Sequence, residues 1–105
     1  MKHPAKSKRS KQWPAVRRKW LKLHPVCRAC GCTVLAELEV HHRRPFHLFP
    51  HLELSERNLI TLCERKGESG CHLAVGHGGS WKKYNPRVCA DADANFRKVK
   101  ASRVS

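Results

Sequence analysis

Two pairs of cysteines, Cys27-x2-Cys30 and Cys63-x7-Cys71, bracket His41-His42 and Asn58, and His72 directly follows the last of them. Thiolates are soft donors that suit a closed tetrahedral zinc centre, and a C-x2-C turn delivers two of them to one ion without strain. Cys63 and Cys71 can supply the other pair if the chain between them loops out, which Gly67 and Gly70 allow. Cys32 and Cys89 are left over and read as ordinary thiols. The histidines offer a different chemistry. In a regular strand His41 and His42 would point to opposite faces, so both serve one site only where the strand breaks, and Arg43-Arg44-Pro45 supplies a break. One imidazole can then hold a divalent ion while its neighbour stays free to take a proton from water near pH 7. His72 would complete the metal pair. A base together with a cation is what phosphodiester hydrolysis requires.

These residues need elements to hold them. Leu38 and Val40 alternate with Glu37 and Glu39, which predicts a strand leading into His41. Leu59-Ile60-Thr61-Leu62 predicts a second strand pairing back on the first, opened by Asn58. Cys71 to Val75 then reads as a turn or two of helix before Gly76, giving a hairpin followed by a histidine-bearing helix. Pro45 and Pro50 punctuate a loop whose Phe46, Leu48, Phe49 and Leu52 should pack against the domain, and its His47 and His51 read as ordinary loop histidines. Upstream, Trp13, Val16, Trp20 and Leu23 recur at helical spacing, predicting an amphipathic helix from near Pro14 to His24-Pro25. Downstream, Ser80 could cap a short helix through Trp81 and Tyr84 that stops by Pro86. A last helix is expected over about 90–100, with Ala92, Phe96 and Val99 on one face. Trp81 and Tyr84, three residues apart, are expected to pack a core, with stacking on a nucleobase as the alternative.

Lys and Arg outnumber Asp and Glu by 22 to 8, a formal charge of +14, and ten of the basic residues precede the first acidic residue, Glu37. That balance favours a polyanionic partner. Residues 1–11 are basic with little to bury and read as a flexible arm, leaving residues 12–105 as one small domain. A domain of this size buries little apolar surface and benefits from a metal staple. Met1 is followed by Lys2, His3 and Pro4 with no apolar stretch behind them, and no run is long enough to span a bilayer. The expectation is an intracellular (cytoplasmic) protein, where paired cysteines favour metal over disulfide.

Taken in order, Cys27-x2-Cys30-Gly31, Glu39-Val40-His41-His42, Pro45-Phe46, Asn58-Leu59-Ile60-Thr61-Leu62-Cys63 and Cys71-His72-x4-His77 resemble the HNH endonucleases, particularly the small phage and prophage type. The resemblance extends from about Trp13 to Asp93. It implies a small α+β fold: a ββα-metal hairpin-plus-helix core stapled by the four-cysteine zinc site, with flanking N- and C-terminal helices. It further implies DNA cleavage leaving 5′-phosphate and 3′-hydroxyl ends, with His42 as general base and Asn58 holding the hairpin loop so that His42 is oriented. His41 and His72 would bind the catalytic divalent ion, such as Mg²⁺, Mn²⁺ or Ni²⁺. On an ideal helix an offset of five places His77 about 140° from His72, so it joins them only if Gly76 breaks the helix. Arg43, Arg44, Lys82, Lys83 and Arg87 are candidate phosphate contacts, extended by Arg17 and Arg18 on the first helix. The family resemblance also allows a partner in phage packaging machinery. The competing reading is a non-catalytic, zinc-stabilised nucleic-acid-binding module.

Overall fold

The structure, a computed structural model, describes residues 9–64 and 70–104. Its elements are a helix α1 (Trp13–Leu23), strands β1 (Leu38–His42) and β2 (Leu59–Cys63), a five-residue π-turn (His72–Gly76) and a helix α2 (Val88–Val104). Single 3₁₀ turns at Leu35–Glu37, Pro50–Leu52 and Glu56–Asn58 punctuate the connections. β1 and β2 pair antiparallel, with Leu38 opposite Cys63 and His42 opposite Leu59. All five residues of β2 are buried, so the hairpin is covered on both sides and lacks the polar alternation of a half-exposed sheet.

α1 forms as its periodicity predicts, with Pro14 in the first turn and the His24 N–H closing the last turn on the Trp20 carbonyl at 2.8 Å. It buries no residue fully. Polar contacts seat it instead: the Trp20 indole donates to the Thr61 hydroxyl at 2.9 Å, and that hydroxyl donates to the His24 carbonyl at 2.8 Å. Arg17 reaches Glu39 on β1 at 3.3 Å.

The Cys27–Cys32 knuckle turns at Gly31, whose φ of 82° is open to glycine and strained for other residues. Its Arg28 N–H bonds the Thr61 carbonyl at 2.9 Å, which lays the knuckle along the free edge of β2. α2 fixes the other side. Asp93 receives Arg28 through two bonds of 2.9 and 3.0 Å, and the Asn95 amide donates to the Ala29 carbonyl at 2.7 Å. The buried core is small and gathers around the cysteines: Cys27, Ala29, Leu38, Ile60, Leu62, Cys63, Val88 and Ala92.

Two helix expectations change. No helix forms over Ser80 to Tyr84: Gly78 and Gly79 take φ values of 61° and 95°, and one turn closes from the Lys83 N–H to the Ser80 carbonyl. The Lys83 carbonyl accepts a bond from the His77 ring. α2 is longer than expected at both ends. It starts once Asn85 takes the Arg87 N–H on its side-chain oxygen at 3.0 Å, and no Gly or Pro interrupts 101–104. Of the expected arm, residues 1–8 lie outside the described residues, while Arg9 and Ser10 are held against Glu53. Most of the expected loop-out between Cys63 and Cys71 also lies outside them. Among the described residues, no helix is long and apolar enough to cross a membrane.

Candidate active site and metal centres

Cys27, Cys30, Cys63 and Cys71 converge, with all four sulfurs within 4.8 Å of one another. Cys30 and Cys63 lie 3.6 Å apart, close to the edge of about 3.8 Å that a tetrahedron of 2.3 Å zinc–sulfur bonds requires. The knuckle brings two donors, the end of β2 a third and the residue before the π-turn the fourth. The Cys71 thiol donates to Cys27, holding Cys27 down to about 5, while the same bond and burial push Cys71 up. Burial pushes Cys63 up as well. Four thiols this close cannot all ionise against one another, so a set of four thiolates needs a cation among them. The donor set therefore fits a soft divalent metal. Cys32 and Cys89 stay outside it, Cys32 facing Glu37 at 3.8 Å and Cys89 facing the Arg28 guanidinium at 3.4 Å.

A second cluster joins His41, His72 and His77, again with donor atoms within 4.8 Å. His77 enters it because residues 72–76 wind as a π-turn, closed by the His77 N–H on the His72 carbonyl at 3.1 Å. A wider turn brings residues five apart onto one side, where an α-helix would separate them. Gly76 makes room: a Cβ there would sit 3.0 Å from Leu62 and 3.3 Å from the His41 ring.

Two imidazoles in this cluster have one nitrogen already engaged. His72 Nδ1 bonds the Glu64 carboxylate at 2.8 Å and His77 Nδ1 donates to the Lys83 carbonyl at 2.9 Å, while the His41 ring packs against Gly76. Carboxylate and carbonyl partners fix Nδ1 of His72 and His77 as the donor and leave Nε2 with its lone pair. Burial, and then the neighbouring His72, His77 and His42 rings, hold His41 down to about 3. It is therefore neutral at pH 7, the form in which imidazole binds a metal. Three such nitrogens fit a divalent ion with positions left open.

His42 stands apart from the three. β1 runs through it in register with Leu59, so the strand breaks after the histidine pair and not within it. Its ring lies 4.6 Å from Trp13, and its Nε2 is 3.0 Å from the Glu53 carbonyl. A carbonyl only accepts, so Nε2 carries the proton and Nδ1 is the free base. Burial lowers its pKa, which keeps the ring neutral. Asn58, also buried, holds this arrangement from behind. Its Nδ2 donates to the Arg44 and Leu52 carbonyls at 3.1 and 3.2 Å, and its Oδ1 takes the Arg44 N–H at 2.8 Å. Leu52 immediately precedes Glu53, so Asn58 sets the loop that carries the acceptor for His42.

His41, His42, His72 and His77 all line one cleft of about 540 Å³, walled by Pro45 to Leu48 on one side and Trp81 to Asn85 on the other. Of the expected phosphate contacts, Lys82 and Lys83 line this cleft. Arg43 and Arg44 are exposed beside it, Arg43 bonded to the Arg57 carbonyl at 2.9 Å and Arg44 lying 5.3 Å over the Phe49 ring. Arg17 is engaged with Glu39, and Arg18 and Arg87 are exposed. His47 borders the cleft and His51 is an exposed loop residue. Trp81 departs from its expected place in a core: it is 53% exposed, with its ring 5.1 Å from His72 and 4.9 Å from His77.

Glu53, Glu64 and the backbone role of Lys83 escape sequence reasoning. Glu64 and Lys83 act on the histidines through a carboxylate and a carbonyl that no spacing rule singles out. Glu53 contributes both ends: its carbonyl holds His42, and its buried carboxylate takes the Ser10 N–H at 3.1 and 3.2 Å with Arg9 at 3.6 Å. An acidic residue between Leu52 and Leu54 was the available signal. Residues 27–78 match the family model described as HNH endonuclease, a span that runs from the first thiol ligand through His77. No curated protein and no solved structure matches the chain.

Proposed function

The chain belongs to the HNH endonuclease family, and from that premise we propose that it hydrolyses DNA phosphodiester bonds with a divalent ion held by His41, His72 and His77. The observation that carries the proposal is the pairing of this triad with a separate neutral imidazole on the same cleft. His42 is the general base: Glu53 fixes its tautomer, and Nδ1 takes the proton from the attacking water. His41, His72 and His77 would hold the ion, which would supply positive charge against the charge developing on the phosphate oxygens and on the departing 3′-oxygen. Asn58 is a positioning residue that acts through Leu52 and Glu53. Lys82 and Lys83 draw the phosphate into the cleft, with Arg43, Arg44, Arg87, Arg17 and Arg18 extending the backbone contacts. The four cysteines hold a structural Zn²⁺ that fastens the knuckle, β2 and the π-turn together.

Supercoiled plasmid incubated with the zinc-loaded protein should become nicked or linear when Mg²⁺, Mn²⁺ or Ni²⁺ is added, with ends that ligase can reseal. Salt-sensitive DNA binding with no cleavage under any of these ions would favour the non-catalytic module instead.

A further inference from the structure

The indole of Trp81 occupies a costly position for so large an apolar group. More than half of it faces solvent, on the wall of the histidine cleft, while its ring lies 5.1 and 4.9 Å from those of His72 and His77. Of the other aromatic side chains at the cleft, Phe46 lies under the Arg9 guanidinium at 4.5 Å, and Tyr84 is less exposed than Trp81, at 36%. Trp81 also sits where a nucleic-acid strand would pass. Lys82 and Lys83 follow it directly, and the positive φ values of Gly78 and Gly79 turn the chain back so that the indole and both lysines border one cleft with the proposed metal ligands.

A half-exposed aromatic ring beside cations that bind phosphate can serve as a stacking platform, because every nucleobase offers a π-face and the lysines hold the backbone alongside. We propose that Trp81 stacks on an unpaired nucleobase next to the scissile phosphate, making single-stranded or locally opened DNA the preferred substrate of this site. The proposal rests on the nuclease reading for the place of cleavage. In an intact duplex each base is covered by its neighbours and cannot reach the ring without being unstacked, at a cost of a few kcal/mol. A strand already unpaired avoids that cost.

Binding read without cleavage separates this proposal from the nuclease reading. With no divalent ion added, at fixed low salt, wild-type protein that retains its cysteine-bound metal should bind a 20-nucleotide oligo-dT about tenfold more tightly than an abasic oligomer of equal length and charge. Trp81→Ala should bind the two alike, and Trp81→Phe should restore most of the preference. Equal binding of both oligomers by wild type, or an undiminished preference in Trp81→Ala, would overturn the stacking role. Thermal melting and the affinity for Mn²⁺ form the second readout. If Trp81→Ala loses both metal affinity and stability while still preferring oligo-dT, the ring is a cover for His72 and His77 and the proposal fails. With Mn²⁺ present, wild type should cut single-stranded DNA faster than duplex, and the ratio should fall toward one in Trp81→Ala. Absence of any cutting alongside an intact, Trp81-dependent oligo-dT preference would strike the nuclease reading and leave the platform standing.

Discussion

Glu64 decides which nitrogen His72 offers. With its carboxylate 2.8 Å from Nδ1, the ring is oriented and its Nε2 made more basic. Glu64→Ala should weaken Mn²⁺ binding at the histidine site about 10- to 100-fold in a calorimetric titration. The cysteine-bound metal should stay in place, because Glu64 touches none of its ligands' thiols in the described contacts. His41 provides a second test through its charge. In the unfolded chain it titrates near 6.5, whereas burial and the adjoining imidazoles hold it near 3 in the folded one. Between those values the unfolded state binds more protons, so this contribution is full above the unfolded pKa and is lost as pH falls. With the histidine site kept free of metal, urea unfolding at pH 7.5 and 5.5 should differ by about 1 kcal/mol in favour of the higher pH. A flat response across that interval would contradict a buried, neutral His41.

At the scale of elements, the π-turn is the part on which the metal site depends most. An α-helix over the same residues would carry His77 away from His72, and Gly76 is what lets the wider turn press against β1 and β2. Gly76→Ala should cost about 1–3 kcal/mol of stability in a thermal melt, because its Cβ meets Leu62 and the His41 ring in a packed interior. It should also lower divalent-ion affinity at the histidines. The hairpin, α1 and both clusters of donors were legible in the sequence because alternation, helical spacing and C-x2-C carry their own geometry. His77 was legible only as a possibility that hung on Gly76, since the winding of a single turn is settled by tertiary contacts. Nor was the stretch after it legible: Ser80 to Tyr84 has the residues of a capped helix, but Gly78 and Gly79 turn the chain and His77 ties down the Lys83 carbonyl. Glu53, Glu64 and Lys83 were hidden for a related reason. Their roles follow from which loops meet, and no local pattern records that.

Over the whole molecule, the metal proposed for the four cysteines would do much of what the apolar core does in larger domains. The core is a handful of residues clustered on the thiols, and the Arg28–Asp93 pair that helps clamp α2 to the knuckle is half exposed, so screening leaves it worth about 1 kcal/mol or less. Cys63→Ser should therefore lose its zinc and its cooperative melt together, and a strong chelator should do the same to wild type; a folded, zinc-free protein would show that the staple is dispensable. The formal charge of +14 should make DNA binding fall steeply with salt, for a protein that cuts and for one that only binds. Cleavage is what separates them. The most direct measurement is the nicking rate of His42→Ala beside wild type, at matched Mn²⁺ occupancy of His41, His72 and His77 fixed by titration. Loss of nicking by roughly 100-fold or more with metal and DNA binding retained is the predicted result. Unchanged nicking in that variant would contradict the assignment of the base, and with it the division of labour between the vicinal histidines.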